Sequence, residues 1–369
     1  MAALRRNFRT VQQHVGRGVT VCAVLKAHAY GHGAVECAHA LEAEGADWFG
    51  VTTTDEGVAL RDAGVRSRIL LMTGFWRGDE EEVIRQNLTS TVWEAWQVES
   101  LDRAAARLGV PPQPVHLKVD TGMARLGVSR GELESLCGRI KTAARVSLEG
   151  VCTHFASSEV LDSQETAQQA LQFEDALRTV RVSGLSPVFC HMANSGAVVA
   201  RPQSWKNMVR PGILLYGYCL RFQRGGKTAE DVPPLDLAPV LSWKTRVLSL
   251  KRVGAGQRLG YGGTYTTKAP SRIAALPVGY ADGLNRQLSS RGRVIVRGQY
   301  APIVGLISMD LTLVDVTAVS GVEMGDEVIL LGSSGVQSVT ALDHARWAST
   351  APYEILCAIS KRVPRKYST

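Results

Sequence analysis

Apolar residues fall in short blocks whose spacing alternates between helix and strand. Leu4, Phe8, Val11 and Val15 recur at helical spacing over 2–16. Val21-Cys22-Ala23-Val24-Leu25 follows as an unbroken apolar run, the pattern of a strand buried on both faces. Beyond it the spacing predicts strands at 48–51, 69–72, 90–93, 115–119, 148–155, 188–191 and 213–215. Between them it predicts helices at 34–44, 55–63, 80–87, 96–108, 130–144 and 165–182, with a short helical turn near Ala197. About eight strand–helix repeats in roughly 220 residues is the size of a parallel (β/α)8 TIM-like barrel. A doubly wound open sheet is the alternative. The barrel is preferred because no Gly-x-Gly-x-x-Gly follows the first strand. In addition, Lys26, Lys118, Asp120, His154, His191, Ser195 and Arg210 lie at or just past the C-terminal ends of strands, where barrels gather catalytic groups.

The pattern breaks over 223–239, where Gly225, Gly226, Pro233, Pro234 and Pro239 cluster. Short β-rich runs follow at 245–253, 272–278, 293–296, 302–307, 312–316 and 327–331, and helical segments return at 341–347 and 352–359. The expected organisation is α/β: a barrel over 1–225, then a mostly antiparallel β domain over 226–369.

Composition narrows the class. The chain has 369 residues, 45% hydrophobic and 21% charged, ordinary values for a globular enzyme. Its net charge of +8 is scattered and lacks a basic stripe interleaved with aromatics, so nucleic acid is not an expected partner. Seven cysteines without a Cys-x-x-Cys suggest neither a disulfide framework nor a thiolate zinc site. The N-terminal residues lack the apolar core of a signal peptide, and no run is long enough to span a membrane, so a cytoplasmic location is expected. His28 and His32 come without a carboxylate or third histidine, and no metal site is expected.

The first apolar run ends in Lys26, followed by Tyr30, Gly31 and Gly33. An ammonium at the end of a buried strand is costly unless it is paired or covalently used. It is either a lysine snorkelling to the surface or a desolvated amine suited to Schiff-base chemistry.

The segment Ala23-Val24-Leu25-Lys26-Ala27-His28-Ala29-Tyr30-Gly31-His32-Gly33 resembles the lysine motif of the alanine racemases. Lys118–Gly127, Thr153–Ala156, His191–Ser195, Arg210–Ile213, Gly260–Tyr265, Gly279–Gly283, Met309-Asp310 and Arg362–Arg365 follow in that family's order and spacing. The resemblance covers nearly the whole chain. It implies an isomerase that interconverts L- and D-alanine on pyridoxal 5′-phosphate and supplies D-alanine for peptidoglycan. It implies a two-base mechanism, with Lys26 forming the internal aldimine and acting on one face and Tyr261 acting on the other. The tyrosine would come from the partner in an obligate homodimer with shared sites. Tyr30, Ser195, Gly212, Ile213 and Tyr353 would form the phosphate cup. Arg210 would face the pyridine nitrogen, oriented by His191, and His154 would contact the tyrosine. Arg125 and the Met309 amide would bind substrate, with Lys118, often carbamylated in the family, supporting Arg125. Glu159, Tyr280 and Arg286 would line the access corridor. Without the resemblance, His191 reads as a hydrogen-bonded core histidine and Ser195 as a helix cap.

The sequence departs from the family at His28, where Asn is usual, at Leu306, where a basic residue is common, and at Ser308, where Cys is usual. The family also begins with a short strand before Ala3-Leu4-Arg5-Arg6-Asn7, whereas Met1 falls almost at that motif here; either the strand is missing, leaving the second domain one strand short, or the sequence is truncated. The rival functions are a serine or broad-specificity racemase, and a non-catalytic pyridoxal-phosphate carrier on a similar barrel. Tyr353 argues for a methyl-sized pocket against the first, and the second lacks a β domain and Tyr261.

Overall fold

The computed structural model describes residues 1–368, so Thr369, the last residue of the expected second domain, lies outside the described residues. The chain divides into two compact units, 1–29 with 34–238, and 30–33 with 239–368.

The first unit is a parallel barrel. Its strands are β1 (Thr20–Val24), β2 (Trp48–Val51), β3 (Arg68–Leu71), β4 (Leu88–Val92), β5 (Gln113–Lys118), β6 (Val146–Cys152), β7 (Phe189–His191) and β8 (Met208–Val209). They pair in the order β7-β6-β5-β4-β3-β2-β1-β8. The β7–β8 seam is bridged by bonds that are not part of a strand ladder. Arg210 N–H donates to Ala193 O at 3.0 Å, and Cys190 N–H donates to Asn207 Oδ1 at 2.8 Å. Cys22, Trp48, Leu70 and Met208 pack inside with Met72 and Phe189. Helices such as Ala95–Leu108 and Gln164–Val182 present Leu101 and Ala104, or Phe173 and Leu177, as buried faces.

The last barrel strand is not the apolar run at 213–215. The strand is Met208–Val209, paired to Thr20 and Val21 of β1. Ile213–Leu215 instead forms tight turns, with Leu215 N–H on Gly212 O and Tyr216 N–H on Ile213 O. A buried turn and a buried strand present the same apolar run, and only the pairing partner separates them. Glycines and prolines break the pattern over 223–238, yet this segment stays with the barrel. Gln223 N–H reaches Glu159 O at 2.9 Å, and Asn7 clasps Ala238 through both backbone groups.

The second unit is antiparallel. Strands at Trp243–Arg246, Glu327–Ser334, Arg293–Val296 and Gln299–Pro302 form one sheet, joined by Gln337–Val339. Ser249–Val253, Ser271–Leu276 and Thr312–Asp315 form a second. The run expected at 245–253 is two strands in different sheets, and the one expected at 302–307 is mostly loop after Gln299–Pro302. Helices Ala341–Ala348 and Pro352–Ala358 complete the unit.

His344 is buried in this unit, and burial pushes its imidazole down to about 4. Between that value and the ordinary histidine value near 6.5 the unfolded chain binds a proton that the folded chain refuses. Stability is therefore lost as pH falls through this interval, by about 3 kcal/mol from this group. The unfolding midpoint is expected to drop steadily from pH 7 to pH 4.5, and less so in His344→Gln. Equal slopes for the two proteins would contradict a buried neutral imidazole at 344.

Candidate active site

The barrel mouth is built around the end of β1. After Leu25 the backbone turns left-handed, and Ala27, His28, Ala29 and Tyr30 have φ between 52 and 55°. Each such non-glycine residue costs roughly 1–2 kcal/mol, so the turn persists only because its surroundings hold it. Ala27 N–H donates to Glu56 Oε1 at 2.6 Å, and Ala29 N–H donates to Leu25 O at 2.7 Å. Behind the turn, the buried Tyr216 hydroxyl donates to Val24 O at 2.9 Å, and Val24 N–H donates to Pro211 O at 3.0 Å. Lys26 stands half-buried at the start of this turn. His28 suits the left-handed position because His, like Asn, tolerates positive φ better than most residues. Its Nδ1 accepts the Ala34 N–H at 3.5 Å, at the start of helix Ala34–Glu42.

Cations converge around this mouth. Lys118 ends β5, is buried, and donates from Nζ to Met72 O at 3.3 Å. Burial lowers its amine pKa, and the charges of Arg210, Arg125 and Lys26 lower it further. His154, two residues past β6, is driven well below the ordinary imidazole range by burial and then by Arg210, Lys118, Arg125 and Lys26. A neutral histidine among four cations describes a site built to receive anions.

Arg210 follows β8 and is buried. It donates from Nη1 to His191 Nδ1 and from Nη2 to Thr153 O at 2.7 Å. Nη2 also reaches His154 Nδ1 at 3.3 Å and Met192 O at 3.4 Å. Arg210 Nε–H has no acceptor among the described residues. Ser195 is not a helix cap: Asn194 caps helix Ser195–Ala200 through Oδ1 to Ala197 N–H at 3.1 Å. The Ser195 hydroxyl instead accepts Gly212 N–H at 2.8 Å, which brings two phosphate-cup candidates together, with Ile213 buried next in sequence.

Arg125 is exposed on a loop closed by a Val119–Val128 bridge. Asp120 Oδ1 accepts Gly122 N–H at 2.9 Å and Ala124 N–H at 3.1 Å. Gly127 has φ 133°, and a Cβ there would lie 2.4 Å from Asp120 N, so the loop needs glycine at that point. Glu159 sits on the loop after β6. Arg201 pins that loop by donating to Ser158 O at 3.1 Å, Val160 O at 2.5 Å and Leu161 O at 3.3 Å.

The second unit carries its own candidates. Tyr261 opens a one-turn 3-10 segment, Tyr261–Gly263, and is 74% exposed. Arg258 braces the turn from Nη2 to Gly262 O at 2.7 Å and from Nε to Gly263 O at 3.2 Å. Tyr280 and Met309 are also exposed, on loops tied by Tyr280 N–H to Ser308 O and Ala281 N–H to Met309 O, both 3.0 Å. The Met309 N–H has no acceptor among the described residues. Arg286 begins a short 3-10 turn after Asn285. Tyr30 and Tyr353 form a separate pair, ring centroids 6.0 Å apart. Burial pushes the Tyr30 phenol upward, helped by Tyr353 and Cys357. Arg365 holds the closing segment by donating to Gly31 O at 3.1 Å and to Ser360 O, Val363 O and Ile359 O at 2.6 Å each.

Residues 1–219 match the family description "Alanine racemase, N-terminal domain", and residues 240–367 match "Alanine racemase, C-terminal domain". The chain belongs to the alanine racemase family. It is 40% identical to alanine racemase 2 of Caldanaerobacter subterraneus subsp. tengcongensis over 98% of this chain and 91% of the relative. It is likewise 40% identical to the alanine racemase of Geobacter sulfurreducens, over 100% and 95%. Among solved structures, alanine racemase from D-cycloserine-producing Streptomyces lavendulae superposes with a TM-score of 0.93 at 32% identity, covering 100% of this chain and 95% of that one. Alanine racemase from Bartonella henselae with covalently bound pyridoxal phosphate gives 0.87 at 31% identity, covering 100% and 97%.

Within the family frame, Glu56, Thr153 and His116 were not among the candidates read from sequence. Glu56 falls in the first turn of a Thr53-capped helix and reads there as an ordinary favourable acid. Its contact with Ala27 joins residues 29 apart. Thr153 acts through its carbonyl, which no sequence pattern marks. His116 reads as a core residue of β5, and its role depends on a neighbour 75 residues away.

Proposed function

We propose that the protein is an alanine racemase: an isomerase interconverting L- and D-alanine, supplying D-alanine for peptidoglycan, with pyridoxal 5′-phosphate bound at the barrel mouth. The observation that carries this reading is Arg210, a buried donor-only group whose Nε–H lacks an acceptor among the described residues while Nη1 and Nη2 are engaged. That donor fits an unprotonated ring nitrogen. The surrounding cations fit a phosphate and a carboxylate, so the residues present suit the cofactor. When bound, the cofactor supplies an electron sink that acidifies the substrate α-carbon.

In this reading Lys26 holds the cofactor covalently and, once released, takes or returns the α-proton at its Nζ. Tyr30, Ser195, the amides of Gly212 and Ile213, and Tyr353 hold the phosphate, and His191 keeps Arg210 in place. Arg125 orients the substrate carboxylate. Lys118 has a lowered amine pKa, which raises the fraction able to add carbon dioxide with loss of a proton. The resulting carbamate is an anion that anchors Arg125. The barrel unit carries Lys26, Lys118, Arg125, Ser195 and Arg210, and the second unit, to which Tyr30 and Tyr353 belong, lends Tyr261 and Met309 to a second copy in a homodimer. The partner subunit's Tyr261 moves the proton on the opposite face, with His154 at its side. The partner's Met309 offers its N–H to the site. Glu159, Tyr280 and Arg286 line the approach, and with Leu306 in place of a basic residue the steering of a carboxylate is weaker.

Among the described residues no helix is long and apolar enough to cross a membrane, and a cytoplasmic enzyme acting without nucleic acid or metal completes the proposal. The test is a chiral assay over a panel of amino acids, with and without added cofactor. Alanine is expected to turn over fastest and only with cofactor. No interconversion of alanine by the loaded protein, or faster turnover of serine, would overturn the assignment.

A further inference from the structure

We propose that Glu149, turned into the barrel by a bulge in β6, is a positioning residue for Arg210. With Arg68 it sets a carboxylate against the Nε2 of His116, the far end of a directed hydrogen-bond chain from His116 through His191 to Arg210, and so fixes which ring nitrogen of His191 meets the guanidinium. The inference rests on the reading of Arg210 given above and extends its support to the strand interior.

The direction of the chain follows from donor chemistry. Arg210 can only donate, so His191 Nδ1 must accept and the His191 proton sits on Nε2. His191 Nε2 lies 2.7 Å from His116 Nδ1, which therefore accepts, and the His116 proton sits on Nε2. That Nε2 is buried and makes no hydrogen bond among the described residues; the acceptor nearest in line is Glu149 Oε2, a charge contact at 3.5 Å. Arg68 Nη2 meets the same carboxylate oxygen at 2.6 Å. The Arg68 guanidinium lies 4.1 Å over the Trp48 ring. Trp48 and Phe189 flank His116 at centroid distances of 5.5 and 6.0 Å, so its ring has no room to turn over.

The backbone is shaped for this contact. In the β5–β6 ladder Val115 pairs with Leu148, and His116 pairs with Gly150. Glu149 is the extra residue, unpaired with β5, and bulges of this kind re-aim a side chain beside a functional site. The next residue is glycine for a matching reason: a Cβ on Gly150 would lie 2.7 Å from three atoms of the His116 ring.

Burial holds both histidines neutral. His191 is well below the ordinary range from burial and then from Arg210, His116 and Lys118. His116 is lowered by burial against the opposing pull of Glu149. Burial alone would raise the Glu149 carboxyl, but the facing His116 N–H and the Arg68 guanidinium bring it down on balance, so it stays an acceptor. A neutral imidazole has one proton to place. Without an acceptor at Glu149, the His116 proton moves to Nδ1 and opposes the His191 N–H. The His191 proton is then driven toward Arg210, where donor meets donor and the guanidinium loses its seat.

The test is long-range proton–nitrogen NMR of the full-length enzyme labelled with [15N]histidine, read beside racemisation kinetics. In the wild type His116 and His191 are expected as single Nε2–H tautomers. Glu149→Leu is expected to mix or switch them and to lower kcat roughly tenfold. Glu149→Gln keeps an accepting oxygen and is expected to restore both readouts. Unchanged tautomers in a folded Glu149→Leu protein overturn the proposal. So does a wild-type His191 protonated on Nδ1, a measurement that needs no variant to fold. Switched tautomers with unchanged kinetics would uphold the chain and instead overturn the role given to Arg210.

Discussion

Lys26→Ala is expected to abolish racemisation and the visible absorbance of bound cofactor together. The loss is chemical rather than structural. Lys26 precedes the four residues of positive φ, and bonds from Glu56, Tyr216 and the backbone, which the substitution leaves in place, hold the turn. The variant should fold as the parent does, with an unchanged circular dichroism spectrum. Removal of one positioned base costs about 10²–10⁴-fold, and loss of the covalent tether adds to this, so a fall of roughly 10⁴-fold or more is expected. A fully coloured Lys26→Ala protein would refute the assignment of this lysine.

The second large effect is directional. In Tyr261→Phe, removal of the α-proton from L-alanine should fall about 10²–10⁴-fold, and removal from D-alanine should fall much less, because Lys26 still serves that face. Net rates in the two directions are tied by the equilibrium constant, so the measurement is loss of α-deuterium from each enantiomer in ordinary water. Equal losses would count against two bases. Tyr261 is 74% exposed on its own unit, as suits a residue used by a second copy. Mixing inactive Lys26→Ala and Tyr261→Phe proteins should then regain roughly a quarter of wild-type activity, since half of randomly exchanged dimers carry one intact site of two. Full subunit exchange without rescue would show each site to be self-contained.

Much of the site was legible because its residues sit at strand ends. Lys118 and His191 end buried strands and Lys26 follows one after Leu25, so apolar runs followed by polar groups mark them, whereas the two-residue strand before Arg210 leaves no such run and the pattern puts the last strand beyond it. The left-handed turn was not legible. Ala27, His28, Ala29 and Tyr30 include no glycine, and nothing in their identity announces four positive φ values. Nor was the bulge, since Glu149 lies inside a run that reads as one continuous strand. Without the family pattern Ser195 reads as a cap because Ser suits that position, yet Asn194 beside it takes the role and leaves the hydroxyl to Gly212.

The sequence by itself determined the order of elements, the change from helix–strand alternation to short antiparallel runs, and the chemical groups available at each strand end. Those signals are local: side-chain periodicity and turn chemistry act over a few residues. Only the tertiary structure decided that β8 is Met208–Val209, that Glu149 bulges toward His116, and that His191 presents a lone pair to Arg210. Strand register, burial and the placing of a proton on one ring nitrogen depend on partners far away in the chain, and they exist only once those partners have met.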